Sequence, residues 1–585
     1  MSRRSDHSQY RVLVLDGHSK AAAETVRALP RGCVIHVAAR DRSCVAFASA
    51  RVGRHYDQPV TSEALLAWTL ARDAEHDYHL IVPSTEFSLL ALKGQGIDAR
   101  VRRKLVIPDE SSIDVALDKQ LTVELADTLG VPAPDSRSIA RRDEVYPRSH
   151  YPTVIKPLHS KVLVRGRLRT LAARICADEA EREAALEALL PLAPVVEQAY
   201  FAGRGIGVEA LFDQGRLCWL FAHERIHELP LTGGASTYRR SIEVPEKLHV
   251  ATVRLLTHLR WHGVAMVEFK VAPDGSICLI EINPRLWGSL PLATAAGINF
   301  PAGLLGIALG QSQPVLPDYR RDYYMRDVPR DAFWFTQAWR QRGNPLNVSQ
   351  LRARDFATLL RPLWGAEGWD LFDWREPEMW LADVHASVRK LTSRLIARGH
   401  ARQALQNSER NWRNLRGTWQ AGELKRVLVV CTGNICRSPV VERLLAAASP
   451  DLEVRSAGVH PIVGRPPPER WTAVVKDELG VSLRHHRSAE VDAELLDWAQ
   501  LVIIMDGRNW GDIHDRPPVR AERIVLLAVA ADAPEGLARS DGAVVDPIDM
   551  DEDAMRVVAR ELAHLTSLLA RQRIVSAAGP VATET

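Results

Sequence analysis

KRVLVVCTGNICRSPVVERLL, residues 425–445, carries an apolar β-run at 427–430 into a short polar loop and then into a helix that opens at Ser438-Pro439. Proline suits a first helical turn, where a backbone N–H lacks a partner in any case. Within the loop Cys431 and Arg437 stand six apart and bracket a nest of backbone N–H groups aimed at one point. Such a nest at a helix N-terminus binds anions. In that field, beside a guanidinium, the thiol is expected to ionise near neutral pH, and the planar Arg fork to grip two phosphate oxygens. The spacing alone is common in an arginine-rich chain with seven cysteines. The strand before it, the tolerant backbone of Gly433 and Asn434 and the Ser-Pro helix start make it one site, a nucleophile directed at phosphorus.

VCTGNICRSP resembles the phosphate-binding loop of the low-molecular-weight protein tyrosine phosphatases, and the likeness continues through Ser456-Ala457-Gly458, Ile504-Met505-Asp506 and Val545-Asp546-Pro547. It spans roughly residues 425–575 and implies a doubly wound parallel-sheet domain that needs no cofactor. The resemblance makes Cys431 the nucleophile that forms a cysteinyl-phosphate, Arg437 the holder of the equatorial oxygens, and Asp546 the acid for the leaving group and later the base for water. It makes Asn434 and Ser438 loop ties, with Ser438 also helping the thiolate to leave, and Cys436 a thiol able to shield Cys431 as a disulfide. The family often has an aromatic after the Asp-Pro pair, where this chain has Ile548, Asp549 and Met550. The expected substrate is thus a phosphotyrosine or a small aryl or alkyl phosphate. Arsenate reduction is an alternative on the same loop, but no cysteine follows Cys436 to complete a thiol relay.

The rest of the chain is too long for one core: 585 residues call for three or four units. A formal charge of +3 implies no nucleic-acid stripe and no membrane anchor, and the apolar region at 290–309, broken by Asn299 and Pro301, reads as buried core. Isolated cysteines without CxxC pairs argue a reducing, cytoplasmic setting and no structural zinc. The polar start MSRRSDHSQY leads straight into a β-run, which argues against a signal peptide.

Residues 10–110 alternate β-runs with helical stretches, the pattern of a parallel sheet, with Asp16-Gly17-His18-Ser19 at the first strand's end as either a ligand loop or a tight turn. A helix is expected from 114 to 129, stopped by Gly130 and Pro132. Gly203, Gly205 and Gly207 read as a flexible turn. VAMVEFKVAPDGSICLIEINPR, 264–285, reads as a hairpin about Pro273-Asp274-Gly275. Period two puts Glu281 and Asn283 on one face, within reach of Glu268 from the opposing strand. Two carboxylates and an amide oxygen converging there suit magnesium, completed by water and nucleotide phosphates, with Arg285 beside the γ-phosphate.

In the order ALDKQLT, VIKP, VEQ, GVEALFDQGRL, HERIHELPLTGGAST, MVEFK and EINPRLWGS, residues 10–325 resemble an ATP-grasp enzyme of the carboxylate–amine ligase type. The resemblance implies a pre-ATP-grasp α/β subdomain and two α+β lobes. It makes Lys119 and Lys156 phosphate ligands, puts Glu197 at the adenine and ribose hinge, and lays Arg225 and the Gly233-Gly234 loop over the reacting phosphate. Glu268, Glu281 and Asn283 would hold Mg2+, and the implied reaction joins a small-molecule carboxylate to an amine through an acyl phosphate. A nucleotide-sensing regulatory phosphatase without ligase turnover is the alternative for the whole chain.

The α/β division expected from the sequence is 1–115, 116–330, a helical, Trp-rich connector at 331–424, the phosphatase domain at 425–575 and a tail at 576–585. Within the connector, 383–397 and 401–415 have helical spacing, 403–420 reads as the link, and the tryptophans are expected to pack on the ligase body. The partners expected are a small carboxylate, an amine and a phosphorylated protein or metabolite. Oligomeric state is left open.

Overall fold

Four short runs near the N-terminus, β1 (Arg11–Val14), β2 (Val34–Ala39), β3 (Val52–Asp57) and β4 (Leu80–Val82), pair in parallel in the order β3-β2-β1-β4. Parallel pairing requires crossovers, and the helices Lys20–Ala28 and Ser62–His76 provide them, each started by a hydroxyl cap from Ser19 or Thr61. Asp16, with φ +57°, accepts from Gln58 Nε2 at 2.7 Å and from the Thr85 amide at 3.0 Å. Its carboxylate is committed to these bonds, so the first strand's end is a tight turn. This computed structural model describes residues 10–573 except 95, 149, 159–160, 165–166, 171–172, 191–192, 314–316, 345, 515, 517–519, 535–540 and 551. The tail expected at 576–585 lies outside the described residues.

A second sheet follows from β5 (Ser136–Ile139), β6 (Thr153–Pro157), the hairpin strands β7 (Lys161–Val164) and β8 (Arg167–Thr170), β9 (Arg174–Cys176) and β10 (Val195–Ala199). It is antiparallel, in the order β5-β10-β6-β9, with β7 and β8 paired separately. The largest sheet takes β11 (Arg204–Asp213), β12 (Arg216–Leu229), β13 (Ala235–Ile242), β14 (Gly263–Val271), β15 (Ile277–Asn283), β16 (Tyr324–Arg326) and β17 (Glu367–Trp369). Its order is β15-β14-β11-β12-β13-β16-β17.

Two expectations change here. Gly205 and Gly207 lie inside β11 rather than in a turn: a Cβ on Gly207 would stand 2.4 Å from the His223 ring, so glycine is needed for close approach. The helix expected at 114–129 is two, Glu110–Leu117 and Lys119–Thr128, because Asp118 leaves helical angles and caps the amides of Gln120 and Leu121. Leu290–Ala296 and Phe300–Ala308 are buried helices, and among the described residues no single helix is long and apolar enough to cross a membrane.

The helix Val328–Arg340 is tied to the large sheet by a buried polar knot. Trp334 stacks on His227 with ring centroids 3.5 Å apart, His227 Nδ1 lies 2.8 Å from Asp331, and Arg326 donates to Glu367 at 2.7 Å. Trp334 thus packs as expected, but Trp339, Trp364 and Trp374 are exposed, a correction to the expected packing of the whole tryptophan set.

The chain divides into compact units at Met1–Val388 and Arg389–Thr585. One helix, Glu378–Gln420, replaces the two expected helices and the link. Its residues 404–419 are built into the second unit: Trp412 and Trp419 are buried in that unit's core, Asn411 Nδ2 donates to the carbonyls of Ala521 and Ile524, and Ser408 Oγ accepts from the Leu526 amide. Ala404, Ser408, Trp412 and Trp419 recur at near-helical spacing, which makes this stretch an amphipathic core helix and not a linker. The second unit's sheet is wholly parallel: β18 (Arg426–Cys431), β19 (Glu453–Gly458), β20 (Leu501–Ile504) and β21 (Ile524–Leu526) in the order β19-β18-β20-β21. Strand order reverses at β18, and in such sheets a ligand crevice opens beyond the carboxyl ends at the reversal.

Candidate active sites

Cys431 ends β18 at that reversal, and the following helix begins at Arg437, one residue before the expected start. The loop between them is tied from below by Asn434, fully buried with φ +51°. Its Nδ2 donates to Ser438 Oγ at 3.0 Å and Ser456 Oγ at 2.9 Å, its Oδ1 accepts from the Ala489 amide at 2.9 Å, and His486 Nε2 lies 2.7 Å from its carbonyl oxygen. Among the described residues no hydrogen bond takes up the backbone N–H groups of 432–437, so the nest keeps its donors for an anion. Cys431 Sγ sits 3.1 Å from Ser438 Oγ, within hydrogen-bond reach of that hydroxyl. Cys436 is a free thiol beside it in the core, and burial pushes its pKa up.

Arg437 spans the crevice. Its guanidinium donates to Asp506 Oδ2 at 2.7 Å, to the Val544 carbonyl at 2.9 Å and to Asp546 Oδ2 at 2.6 Å, while its buried Nε has no hydrogen-bond partner. Cys431, Asn434, Arg437, Ser438 and Asp546 are therefore brought together in one crevice. Two contributors were given no role in the sequence reading: Asp506, quoted there only within the stretch that carries the resemblance, and His486. Asp506 caps the helix Gly507–Ile513 with one carboxylate oxygen and holds Arg437 with the other. An Asp directly after an apolar β-run was the available signal, since that position reads as a helix cap.

In the first unit the antiparallel register sets Glu268 of β14 opposite Glu281 of β15. Asn283 Nδ2 donates to both carboxylates, at 3.1 Å and 3.0 Å, and Arg225 lies 2.6 Å from the other oxygen of Glu268. Burial, with Glu281 alongside, raises the Glu268 pKa to about 6 against the pull of Arg225. Burial also works to raise Glu281, but the Asn283 bond with Lys119 and Lys156 outweighs it and holds that pKa low. Two acids sharing one amide fit a hard divalent cation, which would relieve their repulsion once the amide turns its oxygen inward. Among the described residues no group of three or more His, Cys, Asp or Glu side chains forms a complete metal cage, so further oxygens have to come from ligand and water.

A cavity of about 330 Å³ opens from this pair and is lined also by Arg225, Gly234 and Arg285. Lys156 is buried on β6, and burial, then Lys119, lowers its pKa to about 8. Lys119 donates to the Leu158 carbonyl at 3.3 Å. Arg225 also donates to the Gly234 carbonyl at 3.0 Å, and Gly233 needs its φ of +117° for the turn above.

Glu197 does not join this set. Register pairs Val196 with Lys156 and Glu197 with Ile155, so alternation turns Glu197 to the opposite sheet face. There it meets Arg182 at 2.6 Å and Arg137 at 2.8 Å, an internal ion cluster rather than a ribose contact. Two residues were missed. Glu228 accepts from the Gly234 amide at 3.0 Å, and Lys270, on the same strand face as Glu268, buries an ammonium with no hydrogen-bond partner.

Known proteins resemble stretches in both halves. A family model described as low molecular weight phosphotyrosine protein phosphatase matches residues 426–576, and one described as ATP-grasp in the biosynthetic pathway with Ter operon matches 193–330. The probable low molecular weight protein-tyrosine-phosphatase EpsP of Ralstonia nicotianae is 34% identical over 104 residues, 18% of this chain and 71% of that protein. Etp of Escherichia coli is 39% identical over 101 residues, 17% and 68% respectively, and Wzb of Salmonella typhi 32% over 133, 23% and 83%. An L-amino acid ligase from Bacillus licheniformis aligns with 15% identity and TM-score 0.41, covering 54% of this chain and 78% of its own. N5-carboxyaminoimidazole synthetase from Staphylococcus aureus aligns with 13% identity and TM-score 0.46, covering 61% and 97%.

The chain thus joins an ATP-grasp ligase-like region, matched by its family model over residues 193–330, to a domain of the cysteine-dependent phosphatase class. Through residues 426–576 the chain belongs to the low-molecular-weight phosphotyrosine protein phosphatase family.

Proposed function

We propose that the chain runs two separate reactions: ATP-driven joining of a small carboxylate to an amine in the first unit, and hydrolysis of a phosphate monoester in the second. The observation that carries the proposal is the convergence of Glu268, Glu281 and Asn283 on a cavity lined with arginines, together with the tied loop that presents Cys431 to Arg437.

In the first unit, Lys119, Lys156 and Arg285 offset charge on nucleotide phosphates, and Arg225 with the Gly233-Gly234 turn closes over the group in transfer. Glu268, Glu281 and Asn283 would hold magnesium, which when bound neutralises phosphate oxygens. The substrate carboxylate oxygen takes the γ-phosphoryl group and ADP leaves. The amine nitrogen then attacks the acyl carbon, losing a proton as phosphate departs.

In the second unit the Cys431 sulfur attacks phosphorus as the ester P–O bond breaks, and Asp546 gives its proton to the leaving oxygen. Water then attacks the cysteinyl-phosphate, Asp546 takes its proton, and sulfur leaves toward the Ser438 hydroxyl. The arriving phosphate has to draw Arg437 from Asp546, which frees that carboxyl for the leaving group.

The test is mass spectrometry of cell extracts incubated with ATP and wild-type, Lys156→Ala or Cys431→Ser protein. Metabolites altered by wild type and not by Lys156→Ala are ligase substrates or products, and those spared only by Cys431→Ser are phosphatase substrates. If wild type changes nothing that either variant spares, the proposal fails.

A further inference from the structure

The Trp-rich connector carries an apolar surface that neither reaction uses. Trp339, at 62% exposure, closes the helix Val328–Arg340; Phe356 at 49%, Leu359 at 52%, Leu360 at 54% and Trp364 at 70% follow on the helix Ala353–Ala357 and the tight turns Thr358–Trp364. The two stretches are joined: Phe335, one turn before Trp339, packs against Phe356 with ring centroids 5.4 Å apart. Exposed large apolar side chains gathered on two stretches joined in this way mark an interaction surface.

Its rim has one sign of charge. Between Trp339 and Trp364 the chain has five arginines, at 340, 342, 352, 354 and 361, and one acid, Asp355. That acid is buried, accepting from the Arg352 amide at 2.6 Å with its other oxygen 3.8 Å from His227. Arg340, Arg342, Arg352 and Arg354 are exposed, so the rim presents only positive charge to its surroundings.

We propose that this patch seats the protein on an anionic lipid surface, with Trp339, Leu359, Leu360 and Trp364 entering the headgroup region and the arginines meeting lipid phosphates. Indole rings favour the bilayer interface, and a short amphipathic segment with Trp, Phe and Leu on one side and arginine on the other lies in its plane. A juxtaposed anionic leaflet adds attraction for each arginine. A second copy of this chain fits less well: a two-fold contact sets the same surface against itself and brings arginine to arginine. The sequence led us to expect no membrane partner, since balanced overall charge hides this local excess of arginine, which the inward turn of Asp355 leaves unopposed at the surface.

The full-length chain is sedimented with vesicles of phosphatidylglycerol and phosphatidylcholine, and with phosphatidylcholine alone. Binding is expected only to the anionic vesicles, weakened by high salt, and lowered about tenfold or more by Leu359→Ser with Leu360→Ser and by Arg352→Glu with Arg354→Glu. Aryl phosphate hydrolysis and the melting curve, unchanged in both variants, show that the fold persists. No binding to anionic vesicles, or equal binding by the serine variant, overturns the proposal. So does a dimer in sedimentation velocity that the serine variant disperses, since a second copy then covers the patch. Wild-type capture of an acidic protein without vesicle binding overturns it as well.

Discussion

Asn434 holds an uncommon left-handed backbone angle while its side chain makes three hydrogen bonds inside the phosphate loop. Replacing it with alanine keeps the strained backbone and leaves the Ala489 amide without its acceptor. Asn434→Ala is expected to destabilise the second unit by about 2–4 kcal/mol in denaturant titration, with weaker phosphate binding. Asp546 allows a sharper test because it has two roles that separate. Asp546→Asn loses the proton donor, and turnover of an aryl phosphate should fall by about 10²–10⁴. The same change releases Arg437 from its 2.6 Å ion pair and removes a like charge, so orthophosphate should bind the variant more tightly than wild type. Equal or weaker phosphate binding would count against the proposed exchange of partners by Arg437. At this scale much was legible. Cys431, Arg437, Glu268, Glu281 and Asn283 stand where strand period and loop chemistry put them. Asp506 and Glu228 escaped because their roles depend on which loop lies opposite, information that spacing along one segment does not hold.

Among the elements, β6 and β10 show how register decides function. A single step in alternation separates Lys156, facing Lys119 and Glu281, from Glu197, facing Arg182. Lys156, with a pKa of about 8, is charged below that value and neutral above it. Bound phosphate favours the charged form, so ATP affinity is expected to fall as pH rises through about 8, and calorimetric titration across that range should show it. Lys156→Arg should flatten the profile. The helix Glu378–Gln420 gives the other lesson. Its C-terminal part reads as a connector by composition, yet Trp412 and Trp419 are buried against the phosphatase core, and Trp419 Nε1 donates to the Leu569 carbonyl at 3.1 Å. Trp419→Ala should cost the second unit about 3–5 kcal/mol. A fragment starting at residue 425 should melt well below one starting at 389.

Within the first unit, the His227 knot links stability to pH. Burial works to lower the His227 pKa, but Asp331 and Asp355 outweigh it and raise it above 6.5. A raised folded value means this contribution is complete below about 6.5 and is lost as pH climbs through the folded pKa. The first unit is therefore expected to unfold at lower denaturant at high pH than at pH 6.5 or below, with a smaller difference in His227→Gln. At the scale of the whole molecule, the ordered motifs made both domains recognisable, while the exposed tryptophans and the extended helix were not. Composition cannot tell a packed indole from an exposed one, and the helical pattern of 404–419 finds its partner strand only in three dimensions.

The central claim is that one polypeptide holds two independent sites for phosphoryl oxygens, one built round paired carboxylates and one round a cysteine. Its most direct test is calorimetric titration of the full chain with magnesium ADP, before and after saturation with orthophosphate. The account predicts one nucleotide site, unaffected by Cys431→Ser and by phosphate in the second unit, and abolished by Lys156→Ala or Glu281→Gln. Nucleotide binding that survives both first-unit variants, or that disappears with Cys431→Ser, would contradict it.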